Sequence, residues 1–189
     1  MTYPPHGITA EILAKALPDG LLDPETPNIQ TAIDAAVAFA RNRAHWHIFP
    51  AVDEVLTVDG EGGVVLTLPT LRVNSITSVT ERGAELEEWE AYEWSKTGDL
   101  KRLRGCWTTT WQGITVELNH GYDLTDDGGE ILPDIADLLK ALGSAVATAA
   151  ANPLGIPEVM GPFQFTGTGG SWIGDSADTL GRYVLPWSA

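Results

Sequence analysis

The hydrophobic period of this chain changes twice, and that order constrains its fold more than any single motif. From Asn28 to Ala44 the apolar residues Ile29, Ile33, Val37, Ala40 and Ala44 recur at three- and four-residue steps, which puts them on one helix face. Residues 52–122 switch to a two-residue step, the period of strands. From Leu132 the helical spacing returns through Ile135, Leu138, Leu139, Leu142, Val146 and Ala149. Helix, strands, helix is the order of an α+β fold: a small helical bundle with an inserted antiparallel β meander. The expected organisation is N-terminal body helices over 1–50, a β region over 51–122, a closing helix over 123–153 and an extended C-terminal arm over 154–189.

Local signals sharpen these boundaries. Thr9 is placed to cap a short helix over residues 8–17, and Pro18-Asp-Gly20 ends it. The second helix should stop before Pro50. Strands are expected at Val64–Leu68, Val73–Thr80, Tyr92–Trp94 and Leu100–Leu103, with a turn at Glu81-Arg-Gly83. The clearest strand is Ile114-Thr-Val-Glu-Leu-Asn-His120, where Ile114, Val116 and Leu118 alternate with polar residues. Pro133 near N1, with Asp134 in the first turn, opens the closing helix, and Asn152-Pro153 stops it. Beyond lies a glycine-biased tail that matches neither helix nor ordinary sheet. It carries Phe163, Phe165, Trp172, Tyr183 and Trp187. Two outcomes stand for it: an arm that docks on a partner through its rings, or a segment that folds back on its own body.

Composition narrows the function class. At 189 residues with 43% hydrophobic content the chain can build a packed core. No apolar run approaches the ~18–20 residues of a membrane span, the N-terminus has no signal-peptide pattern, and one cysteine fits a reducing compartment. A soluble chain made in the cytoplasm is the expectation. Its 11 Lys+Arg against 26 Asp+Glu give −15. That excludes phosphate neutralisation as a mode of DNA binding.

No residue pattern points to catalysis. His45-Trp-His47 with Asp53 and Glu54 is a local His/carboxylate group, but i, i+2 histidines diverge on a helix and no third ligand is evident. Helix-end histidines facing terminal carbonyls are the expected arrangement, with His120 closing a strand. Cys106 beside Arg104 has no paired base. Gly167-Thr-Gly-Gly170 lacks the Gly-Lys-Ser/Thr ending of a phosphate loop, and Asp123, Asp126 and Asp127 lack EF-hand spacing. Lys101, Arg102 and Arg104 form a positive island. Trp89, Trp94, Trp107 and Trp111 are either cross-strand packing or, in a carbohydrate-binding module, an exposed platform. A hydrolase built on His45 or His47 with Asp53 is a further rival.

The order of the β motifs resembles a known family. Leu66-Thr-Leu-Pro-Thr-Leu-Arg-Val-Asn-Ser-Ile-Thr-Ser-Val-Thr80, Glu81-Arg-Gly83, Tyr92-Glu-Trp94, Gly98-Asp-Leu-Lys-Arg102, Ile114 to Tyr122, and Leu132-Pro-Asp-Ile135 follow one another as in head–tail connector (adaptor) proteins of long-tailed, non-contractile bacteriophages, particularly of actinobacterial hosts. Gly161-Pro-Phe163 and Leu180-Gly-Arg-Tyr183 resemble the end of such adaptors. The resemblance implies a non-catalytic virion protein of the phage neck, without cofactor or metal. It implies a self-assembled dodecameric ring under the portal protein, continuing the DNA channel and receiving a stopper or tail-terminator protein. It assigns portal docking to Phe163, Phe165, Trp172, Arg182, Tyr183 and Trp187. Trp94, Lys101, Arg102, Arg104, Trp107 and Trp111 would face neighbouring subunits or the tail. DNA would pass without sequence-specific binding, and no membrane is involved.

Overall fold

A computed structural model describes residues 3–151, the backbone of 158–160 and 163–165, and residues 179–186. The chain divides into a helical unit, Met1–His45 with Asp123–Ala189, and a β unit, Trp46–Tyr122.

In the helical unit, α1 (Ala10–Ala16) starts at Thr9, whose hydroxyl accepts from the Ile12 N–H. α2 (Ile29–Ala44) buries Ile29, Ile33, Val37, Ala40 and Ala44, the face its period marked, and adds Ala36 and Arg41. The helix stops at Ala44 because His45 turns left-handed (φ 66°) and its N–H closes on the Arg41 carbonyl. α3 (Pro133–Ala151) packs on both α1 and α2. Its stripe runs as expected to Val146, but Ala149 is exposed. Gly143 permits the close approach, since a Cβ there would lie 3.0 Å from Leu17 Cδ1. The alanines of α2 and the leucines of α3 form the core, with Leu138 and Leu139 fully buried.

The tail is not wholly irregular. β8 (Glu158–Met160) and β9 (Phe163–Phe165) pair as an antiparallel hairpin, correcting the expectation of no ordinary sheet there. Glycine bias hid the two short strands.

In the β unit the strands are short and antiparallel, and they form two sheets. The first has the order β1 (Val52–Val58), β7 (Ile114–His120), β3 (Val73–Glu81), β4 (Ala84–Glu85). The second has the order β2 (Val65–Thr67), β6 (Asp99–Arg102), β5 (Tyr92–Trp94). β7 therefore sits between β1 and β3 and carries the alternation of a central strand, with Ile114, Val116, Leu118 and His120 all buried. The two faces share a core of Leu66, Leu68, Val79, Leu100 and Trp107 with the inward residues of β7. The turn at Arg82 and Gly83, both at positive φ, joins β3 to β4 as the Glu81-Arg-Gly83 signature required.

Candidate functional site

The tryptophans of the β unit divide by position. Trp107 is 2% exposed and its indole N–H donates to the Leu100 carbonyl at 3.2 Å. It is a core residue, so its ring is not offered to a neighbouring subunit. Trp94 is half-buried and its N–H donates to Glu88 at 2.7 Å. Trp89 and Trp111 stand out in solvent, at 66% and 83% exposure. With Trp107 inside and Trp94 engaged, these rings do not form the exposed platform a carbohydrate module needs.

The basic island divides as well. Arg102 turns inward: its guanidinium pairs with Glu81 at 2.7 Å and lies 5.0 Å from the centre of the Trp107 ring. Glu81 also accepts from the Thr108 N–H, which makes Arg102 a brace between β6, β3 and the 103–113 loop. Lys101 pairs with Glu93 at 2.7 Å across exposed surface. Arg104 is exposed, as is Cys106.

Of the residues expected to dock on a portal, Trp172 and Trp187 lie outside the described residues, as does the Gly167–Gly170 run; Phe163 and Phe165 are described by their backbone in β9. Arg182 and Tyr183 belong to a segment that folds back on the helical unit. Leu180, Tyr183 and Leu185 are buried, and the Leu185 N–H donates to the Ala44 carbonyl. The Tyr183 hydroxyl donates toward Asp137 at 2.6 Å and the Asp134 carbonyl at 3.1 Å, while Arg182 pairs with Asp137 at 2.8 Å. Over 179–186, then, folding back is the outcome. Tyr183 is consumed by its own α3, and Arg182 keeps an exposed side chain.

The histidines are arranged otherwise than expected. His45 does end α2, but through its backbone. His47 lies beyond the helix, 4% exposed, with its ring edge-on to His120 at 4.5 Å between centroids. His120, 2% exposed, is the last inward residue of β7. The β1–β7 register sets His120 opposite Val52, so Glu54 is its diagonal neighbour on the same face, at 3.0 Å. Burial pushes the His120 imidazole below its ordinary value, with Glu54 opposing. The third ligand absent from the local motif is thus supplied by a strand some seventy residues away: His47, Glu54 and His120 bring one ligand atom each within 4.8 Å. Asp53, one residue along β1, points to the other face and accepts from Asn119. The depression beside β1, lined by Asp53, Glu54, Val55, Thr77, Glu117 and Leu118, contains no histidine. The pocket a His/Asp53 hydrolase requires is not formed there. Asp126 folds its own loop instead of offering ligands outward, accepting from the Gly128 and Glu130 N–H groups.

Among the described residues no helix is long and apolar enough to cross a membrane. No protein-family model matches the chain, and no curated protein matches it. Solved structures do. A chain of the neck of an empty gene transfer agent particle, computed with C6 symmetry, superposes with a TM-score of 0.55 over 98% of this chain and 93% of that one, at 15% identity. This chain shares that neck chain's fold. A chain of the native particle's neck, computed with C12 symmetry, gives 0.53 over 84% and 82% at 13% identity. A chain of the native virion gives 0.52 over 93% and 88% at 17% identity.

Proposed function

We propose that this chain is a structural, non-catalytic component of a bacteriophage neck: a head-to-tail adaptor that forms a dodecameric ring beneath the portal and receives a stopper or tail-terminator protein. The observation that carries this is the end-to-end agreement in fold with a neck chain, 98% of this chain on 93% of that one. The symmetry of those necks, C12 and C6, supports a ring of identical copies. The order of β motifs that resembles phage adaptors points the same way.

Surface chemistry fits the role. Trp111, Arg104 and Lys101 are the exposed members of the expected subunit contact, and an exposed indole of this size is the usual anchor of an interface. Portal docking falls to the stretch holding Phe163, Phe165 and Trp172, with Arg182 and Trp187 beyond. Twelve copies at −15 carry 12 × −15 = −180 formal charges. An acidic channel repels DNA and lets it slide without adhering. The test is to mix the chain with a portal protein from the same genome and image the product by negative stain. A ring on the portal is expected; a portal left bare at saturating chain contradicts the proposal.

A further inference from the structure

We propose that His47, Glu54 and His120 form a binding site for a divalent first-row transition metal of the zinc type, which clamps the two ends of the β unit. The donor set is two imidazoles and one carboxylate, suited to zinc with a fourth position open to water. Magnesium and calcium favour all-oxygen ligands and fit it poorly.

Three features argue for a built site over a chance cluster. First, His120 occupies the end of an inward row that is otherwise Ile114, Val116 and Leu118, where an apolar residue would cost nothing in desolvation. Second, the buried His120 ring turns its Nε2 to the Glu54 carboxylate at 3.0 Å. Nε2 and the Glu54 carboxylate are the pair of atoms a metal would bridge, and a neutral imidazole is the form that ligates metal. Third, the backbone makes room for His47. Gly121 has φ 104°, and a Cβ there would stand 2.6 Å from His47 Nε2 and 2.7 Å from the Pro50 carbonyl. Only glycine lets the ring and the end of β7 approach so closely.

Tetrahedral coordination at ~2.0–2.1 Å needs ligand atoms about 3.4 Å apart. His120 and Glu54 are already at 3.0 Å, and the widest separation, within 4.8 Å, must contract. Glu54 has the freedom to adjust, its side chain being 47% exposed, whereas both rings are held by burial. His47 is one residue from Trp46 and His120 two from Tyr122, the residues that bound the β unit, so a shared metal fastens its first and last segments.

The test uses the full chain, stripped with chelator and titrated with Zn²⁺ by calorimetry and with Co²⁺ by visible absorption. One ion per chain is expected, with micromolar or tighter affinity, a tetrahedral Co²⁺ spectrum and a raised melting temperature. E54Q, on an exposed side chain, should keep the fold and weaken Zn²⁺ binding about tenfold or more. H47N should abolish it. H6A and H45A, at the two histidines outside the cluster, should leave it intact. No binding, or binding unchanged in folded E54Q, or binding lost with H6A or H45A, overturns the proposal. Should H47N fail to fold, E54Q decides alone.

Discussion

Within the helical unit the described core is almost wholly apolar, Arg41 being its buried charge, and Leu21 is its one exposed large hydrophobic residue among those described. The β unit does the reverse on both counts. It buries His47, Thr70 and His120, and it exposes Val55, Val64, Val65, Trp89, Leu103 and Trp111. Packing alone accounts for the first unit. In the second, the buried polar groups are partnered, Thr70 with the Arg72 backbone, His47 with the His120 carbonyl and His120 with Glu54, while the rings of Trp89 and Trp111 stand in solvent. In the proposed ring the helices would supply the scaffold and the exposed rings of the β unit its contacts.

The largest effect is expected at the end of the chain. Removing residues 179–189 strips Leu180, Tyr183 and Leu185 from the helical unit, and each fully buried large side chain is worth ~1.5–3 kcal/mol. A loss on the order of 5 kcal/mol in urea unfolding is expected. Truncation that leaves stability unchanged would show the segment to be an appendage and not part of the scaffold. Next is Trp107→Ala, which empties a core site and releases the Arg102 brace; it should cost about 3–5 kcal/mol. Gly121→Ala forces a Cβ against His47 and the Pro50 carbonyl at a positive φ, and should cost about 1–3 kcal/mol. Trp111→Ala is the smallest in stability, within about 0.5 kcal/mol, because the ring is 83% exposed. Its effect should appear in assembly, as fewer rings at a given protein concentration by light scattering. A Trp111 variant that assembles normally would remove the indole from the subunit contact.

Much of the scaffold was legible in the sequence, since helical period is a local property. The inward face of α2 and most of that of α3 could be read residue by residue. Ala149 failed because periodicity marks a face and says nothing of how far along the helix that face is buried. Strand positions were similarly readable, down to the Glu81-Arg-Gly83 turn, but strand partners were not. That β7 lies between β1 and β3 is a long-range pairing, and the His47–Glu54–His120 cluster depends on it. One signal was nonetheless present: continuing the alternation of Ile114, Val116 and Leu118 by one step places His120 inward. Trp107 and Trp111, four residues apart, show the same limit. Composition treats them alike, and the loop between β6 and β7 sends one into the core and the other into solvent. In the tail, Leu180, Tyr183 and Leu185 gave no period long enough to reveal that they return to the helices.

The proposed role requires this chain to build a ring on a portal. Electron cryomicroscopy of the full chain incubated with a portal protein from the same genome, with the symmetry of any bound density determined without imposing it, decides this. A closed ring of twelve copies against the portal, with the exposed face of the β unit bearing Trp111 at a contact, is the predicted result. Portal particles free of added density, with the chain remaining monomeric in the same mixture, would contradict it.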